Sequence, residues 1–261
     1  MYATERQDRI ARALAADGRV SVSGLSADMD VTAETVRRDL DVLELAGLLR
    51  RVHGGAVASS RGSVTEIAIG ERRSEHHAAK SAIAEIAMRM LPPTFRGSVL
   101  LDAGTTTALV AERLAAWTPS DGQQLTVITN SVQNLVALDK SPHLDLHLIG
   151  GRLRGITGAL VGNAAVAQLE ALRPDISFLG ANGISAGFGL STPDEIEGAV
   201  KSAMVRSARR AVVLADATKL GQEALVRFAA LDEIDTLVTD NRPPSALSDA
   251  LELAEVEVLC A

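Results

Sequence analysis

The chain has 261 residues and a formal net charge of −7, a length that suits one large domain or a small module joined to a domain of ordinary size. Hydrophobic residues make up 47% and charged residues 23%, which is ample material for a buried core and excludes a chain disordered throughout. Aromatic residues are only 2%, which argues against stacking platforms for single-stranded nucleic acid and leaves duplex readout open.

Met1 to Arg6 has no apolar core of a secretory signal, and no apolar run approaches the roughly 20 residues that span a bilayer; a cytoplasmic protein with no membrane partner is expected. From Thr4 to Ala16 the residues Ile10, Ala13 and Leu14 recur at helical spacing, with Arg6, Arg9 and Arg12 on the outer face and Asp17-Gly18 as the stop. The β-branched stretch Val20-Ser21-Val22 leads into a brief second helix that Ser21 can cap and whose inward residues are Val22, Leu25 and Met29. After the turn at Asp30-Val31, Thr32 caps a longer third helix with the stripe Val36, Leu40 and Leu43, ending at Gly47. Leu48 to Val57 reads as two short extended segments around a Gly-Gly bend. Two helices joined by a tight turn and followed by such a wing make a winged helix-turn-helix.

On the third helix, Thr32, Ala33, Glu34, Thr35, Arg37 and Arg38 lie off the apolar stripe and are candidates to enter the major groove. The arginines suit either guanine edges or phosphates, while Arg50 and Arg51 on the wing suit the DNA backbone, with His53 a further DNA-binding candidate. The plainer alternative is a solvated ion pair between Arg37 and Glu34 or Asp41. Residues 1–58 contain eight Lys/Arg and nine Asp/Glu, so bulk charge gives no support to DNA binding and any positive surface comes from local placement.

Val31 to Val57, VTAETVRRDLDVLELAGLLRRVHGGAV, closely resembles the N-terminal signature of the DeoR family of bacterial regulators, through Arg37-Arg38-Asp39-Leu40 and the trailing His53-Gly54-Gly55-Ala56. The family begins this helix with serine where Thr32 stands, and the capping hydroxyl is kept. The resemblance implies a winged helix-turn-helix that binds double-stranded operator DNA.

Ala58 to Ser63 is small and polar, the composition of a join. The expected division is 1–58 for the DNA-binding domain, 59–74 for a linker and 75–261 for a larger domain. The charged run Glu71 to His77 reads as a helix start or a solvated approach to a helix with Ile83, Ile86, Ala87 and Met90 on one face. His76 and His77 lack further ligands at suitable spacing, so no metal is expected.

Beyond Pro92-Pro93, short β-branched runs at 98–101, 125–128, 144–149, 176–179, 211–214 and 236–238 alternate with helical stretches. This predicts an α/β domain around a largely parallel sheet, with ligands at the carboxyl ends of the strands. Asp102-Ala103-Gly104-Thr105-Thr106-Thr107 follows the first strand and opens directly into a helix, a place for an anion, although a well-capped helix explains it equally well. It lacks the Gly-Lys-[Ser/Thr] ending of a Walker loop. Asn130 and Gly150-Gly151, at two further strand ends, leave room for a ligand, and Lys219 offers a cation to a phosphate. Glu197 and Lys201 are one turn apart and read at least as well as an exposed helical pair. The glycine-rich stretch 180–189 lacks dinucleotide-binding spacing and reads as a loop, and the single cysteine, Cys260, excludes an internal disulfide.

LLDAGTTT, TVITNS, HLIGGRLR, GALVG, Phe178-Leu179-Gly180, the Glu197 to Lys201 spacing, LADATKLG and LVTD occur in the order of the DeoR sensor domain, so the resemblance covers nearly the whole chain. It implies a domain similar in fold to ribose-phosphate isomerase that binds a phosphorylated sugar or related metabolite and thereby releases a homo-oligomeric repressor, dimer or tetramer, from carbohydrate-catabolism genes. Carried over by position, the effector residues are Asp102, Gly104, Thr105, Thr106, Thr107, Asn130, Gly150, Gly151 and Lys219, with Glu197 and Lys201 as weaker members; no cofactor is implied. The alternative is a sugar-phosphate isomerase-like enzyme with an accessory DNA-binding module, for which Asp102, Asp216, Glu197 and Lys219 supply acid and base types.

Overall fold

Ile10, Leu14, Val22, Leu25, Met29, Val36, Leu40 and Leu43 converge in one buried cluster, as their helical spacing requires. A computed structural model describes residues 3–17, 19–45, 49–52, 54–58, 66 and 68–261, and the chain divides into two units, 1–62 and 63–261. The first unit runs α1 (Ala3–Asp17), β1 (Arg19–Ser21), α2 (Val22–Met29), α3 (Ala33–Leu45), β2 (Leu49–Val52) and β3 (Gly55–Ala58). Its strands form an antiparallel sheet in the order β1-β3-β2. Ser21 caps α2 by accepting from the Gly24 N–H at 3.0 Å, and Thr32 caps α3 by accepting from the Thr35 N–H at 3.2 Å. The wing closes over a glycine: a Cβ at Gly55 would lie 2.0 Å from the Val20 carbonyl oxygen.

Arg6 departs from its expected outward place. Its Nε donates to Asp39 Oδ2 at 2.6 Å and Asp39 is buried, so α1 is strapped to α3 by an ion pair on the inner side of the bundle.

The second unit runs α4 (Ile69–Ser74), α5 (His77–Arg89), β4 (Ser98–Leu101), α6 (Thr105–Leu114), β5 (Leu125–Thr129), α7 (Val132–Leu138), β6 (Leu144–Leu148), β7 (Arg152–Arg154), β8 (Ala159–Val161) and α8 (Asn163–Glu170). It continues through β9 (Ile176–Leu179), β10 (Gly183–Ser185), β11 (Gly189–Thr192), α9 (Glu195–Ser207), β12 (Ala211–Leu214), β13 (Val226–Ala229), β14 (Thr236–Thr239), α10 (Ser245–Leu253) and β15 (Glu257–Cys260). Seven strands form a wholly parallel sheet in the order β15-β14-β12-β9-β4-β5-β6. Both faces are apolar: Leu100, Leu179, Val213 and Leu237 join one core, while Val99, Leu101, Phe178, Val212 and Val238 join the other. A parallel sheet needs that double cover, and the continuous Val/Leu runs of its central strands supply it.

Three parts differ from expectation. β15 is a further strand, which the runs read from the sequence did not include. Residues 69–74, expected in the linker, form α4, which is tied to the second unit by the Ile69 N–H donating to the Ile156 carbonyl at 2.9 Å. The glycine-rich stretch folds into the antiparallel hairpin β10–β11, extended by β13. Its glycines serve contact: Gly189 has φ +82°, and a Cβ at Gly183 would meet the Gln222 carbonyl oxygen at 2.4 Å. Among the described residues no helix is long and apolar enough to cross a membrane.

Candidate functional site

On α3, Glu34, Arg37 and Arg38 face solvent. Both arginines reach the same carboxylate, Arg37 at 3.4 Å and the 80%-exposed Arg38 at 3.8 Å. Exposed pairs of this kind are weak, so either guanidinium can leave Glu34 for a base edge or a phosphate at little cost. Thr32 is exposed but its hydroxyl is engaged with Thr35 at 2.9 Å, and Ala33 packs against the core rather than pointing outward. Arg51 is drawn onto α3, where its guanidinium donates to Asp41 and, at 3.2 Å, to the Arg37 carbonyl, while its N–H donates to Glu44 at 2.7 Å. The wing is thereby pinned to the helix it flanks. The side chain of Arg50, and His53 altogether, lie outside the described residues.

The second site lies at the carboxyl ends of β4, β9 and β12. Thr107 closes the turn into α6, its hydroxyl accepting from the Gly104 N–H at 2.8 Å and donating to the Asp102 carbonyl at 2.6 Å. The N–H groups of the first helical turn have no intrahelical acceptor, and Gly104, Thr105, Thr106 and Thr107 line the cleft with them. Arg72 from α4, His76 at the α4–α5 joint, Lys80 from α5 and Lys219 beyond β12 line it too. His76 sits at φ +51°, in the left-handed region.

Four basic side chains and a helix N-terminus thus meet two acids, Glu75 and Asp216. Lys80 is buried and donates to the Arg72 carbonyl. Burial holds its ammonium below the usual lysine value, with Arg72 and Lys219 acting in the same direction against Asp216 and Glu75. Burial alone would raise the Asp216 carboxyl, but Lys219, the Thr218 hydroxyl and His76 outweigh it and hold it below the usual range. A helix N-terminus beside the buried Lys80 and the half-buried Arg72 and Lys219 favours an anion with several acceptor oxygens.

Beneath this floor the chain buries a set of charges. Asp102 accepts from the Ala103 N–H at 2.7 Å, from the Gly180 N–H at 3.1 Å and from the Lys201 ammonium, which also donates to the Gly180 carbonyl at 2.9 Å. Glu197 stands 4.0 Å from Lys201 and 3.4 Å from Arg154. Arg154 also holds Glu66 through bonds of 2.8 and 2.5 Å and lies 3.3 Å from Asp194. The exposed-pair reading of Glu197 and Lys201 is therefore corrected: both are buried, because α9 packs this face inward. Burial raises the Glu197 carboxyl above its usual value, helped by Asp102 and Glu66 and opposed by Lys201 and Arg154.

Of the residues singled out from the sequence, the cleft gathers Gly104, Thr105, Thr106, Thr107 and Lys219. Asp102 and Lys201 pair with each other below it, and Glu197 belongs to the Arg154 cluster. Asn130 turns its side-chain N–H to β8, donating to the Leu160 carbonyl at 3.2 Å, while its buried Oδ1 has no hydrogen-bond partner among the described residues. The Gly150 N–H donates to Gln168 at 3.0 Å, and a Cβ at Gly151 would lie 2.7 Å from the Val161 carbonyl oxygen, so these glycines serve close packing. Arg72, His76 and Lys80 also line the cleft and were not singled out from the sequence. Their signal was the charged run from Glu71, read as solvated, and a lysine one turn before Ile83 on the apolar stripe.

Comparison with known proteins finds a matching domain family for each unit. The model of the DeoR-like helix-turn-helix domain matches residues 6–61, and that of the DeoR C terminal sensor domain matches residues 75–241. The chain belongs to the DeoR family. It is a DNA-binding transcriptional regulator with a C-terminal sensor domain. It is 39% identical to the HTH-type transcriptional regulator GlpR of Haloferax volcanii over 99% of this chain and 98% of the relative. It is 30% identical to the glycerol-3-phosphate regulon repressor of Haemophilus influenzae, over 98% and 96%. The lactose phosphotransferase system repressor of Lactococcus lactis is 33% identical, over 93% and 92%. A solved structure of ribose 5-phosphate isomerase A from Methanocaldococcus jannaschii matches with 17% identity and a TM-score of 0.40, over 56% of this chain and 55% of that one.

Proposed function

We propose that this regulator is a cytoplasmic homo-oligomeric repressor of carbohydrate-catabolism genes, bound to double-stranded operator DNA through Arg37 and Arg38 and released by a phosphorylated sugar or related metabolite. Residues 1–58 act as the DNA-binding module and 75–261 as the sensor. The observation that carries this reading is the meeting of Arg72, Lys80 and Lys219 at the N-terminus of α6. A phosphate monoester brings a charge of about −1.5 to −2 at neutral pH, and near Lys80 it offsets the cost of burying that ammonium. The names of two relatives, a glycerol-3-phosphate regulon repressor and a lactose phosphotransferase system repressor, agree with a phosphorylated effector.

Arg72 and Lys80 stand in the first two helices of the second unit, and release requires that the anion they hold favour a form of the chain that binds operator poorly. Operator and effector then weaken each other by the same factor, as linkage requires. Sensing without turnover is favoured over isomerase chemistry by Asp102, a candidate base whose carboxylate is occupied by Lys201 and two backbone N–H groups.

The test is calorimetry with pentose, hexose, triose and polyol phosphates and their plain counterparts, with and without operator, on wild type, Thr105→Val and Lys219→Ala. One phosphorylated compound is expected to bind far more tightly than its plain form and to lose affinity in both variants. Equal binding of the two forms, or conversion of the phosphate to a product, would refute this reading.

A further inference from the structure

The seven-stranded sheet ends on β6, whose outer edge pairs with no other strand among the described residues. We propose that this edge, Leu144–Leu148, receives the same strand of a second copy in antiparallel register, about a two-fold axis at Leu146, so that two sensor domains share one continuous sheet. The proposal rests on the homo-oligomer reading above and names its interface.

The backbone is set for it. At the two ends of β6, the His143 carbonyl accepts from the Leu125 N–H at 2.9 Å and the Ile149 N–H donates to the Thr129 carbonyl at 2.8 Å. Odd-numbered residues therefore turn their polar groups toward β5, and by the alternation of a parallel ladder Leu144, Leu146 and Leu148 turn theirs outward. An unpaired outward row of this kind is a template for another strand. Centred on Leu146, the register bonds Leu146 to its twin and Leu144 to Leu148 of the second copy.

The side chains select that register. The strand reads Leu-Asp-Leu-His-Leu, and centring on Leu146 sets Asp145 opposite His147 of the second copy, twice, at the positions where opposed side chains approach most closely. Centring on Asp145 or on His147 would set like groups against each other. Asp145 and His147 already meet within the strand at 3.2 Å and are exposed, so they share one face and are available to a second pair. On the other face, Leu148 is 38% exposed, and Val132 and Val136 of the neighbouring α7 are 39% and 65% exposed. The β6 edge carries no lysine or proline, the usual guards against strand addition. The opposite edge strand, Glu-Val-Leu-Cys, offers no such carboxylate–imidazole pair to a copy of itself, and its Glu257 is engaged by Arg210.

Sedimentation velocity on the full chain tests the interface with His147→Asp, Asp145→His, the double swap Asp145→His/His147→Asp, and Leu146→Pro. Each single charge variant is expected to raise the dissociation constant about tenfold, and the double swap to restore it. Leu146→Pro removes an outward N–H while sparing the ladder to β5, so it is expected to halve the mass with an unchanged circular dichroism spectrum. If the wild type associates and both single swaps and Leu146→Pro keep its mass, the β6 interface is wrong and the oligomer reading stands. A wild type that is monomeric at tens of micromolar would overturn both.

Discussion

The Lys201 ammonium donates to the Asp102 carboxylate across ninety-nine positions of sequence, fastening α9 beneath the loop that opens α6. Both groups are buried, and removing one member of a buried pair strands the other at a cost of about 3–5 kcal/mol. Lys201→Met is expected to lower the urea midpoint accordingly, and Asp102→Asn/Lys201→Met to recover much of the loss. A double variant no more stable than Lys201→Met would show that the cost lies in packing and not in the stranded carboxylate.

Lys80 links the cleft to pH. Its folded pKa is lowered from 10.5, chiefly by burial, so between the two values the unfolded chain holds more protons and stability rises with pH. A bound phosphate pulls the other way and raises the Lys80 pKa, so effector binding takes up protons and weakens as pH rises through that window. Below a pH of about 6 the phosphate loses its second charge, which weakens binding on the acid side. Titrations in buffers of different ionisation enthalpy measure the uptake. It is expected to vanish in Lys80→Met, and an unchanged uptake there would assign it to another group.

For DNA, Arg38→Ala and Arg37→Ala separate two roles. An arginine that reads a base costs on the order of 1–3 kcal/mol when lost and relaxes sequence preference at one position, whereas a phosphate contact weakens all sequences and reduces the salt slope by about 1. Fluorescence anisotropy against operator and scrambled duplexes over a salt series distinguishes them. Normal operator binding by a folded Arg37→Ala/Arg38→Ala protein would refute α3 as the recognition helix.

Gly55→Ala would drive a methyl group onto the Val20 backbone, a clash that β1 and β3 relieve only by parting. Overpacking of this kind typically costs about 1–3 kcal/mol. DNA binding is expected to fall while effector binding to the other unit is retained, measured on the same preparation; loss of both would place the damage beyond the wing.

The winged unit and the central strands were legible because the sequence signal and the packing coincide: Val36, Leu40 and Leu43 mark one helix face, and Val212 to Leu214 are apolar without alternation because both sides of the sheet are covered. The charged residues were harder. Arg6 and Lys201 occupy helix positions whose spacing is the same whether the face meets water or a buried carboxylate, and only tertiary packing distinguishes the two. Lys80 and Arg72 escaped notice for the converse reason, since the cleft they line is built from segments far apart in sequence. Asn130, Gly150 and Gly151 were correctly placed at strand ends, but strand ends also have to be tied to the hairpin that follows them.

His76 has a wider consequence. A residue with a side chain costs roughly 1–2 kcal/mol in the left-handed region, so the bend between α4 and α5 is held under tension next to the cleft. Glycine takes up that conformation at no steric cost, so His76→Gly is expected to keep the bend, whereas a β-branched residue at the same place could relax only by breaking it.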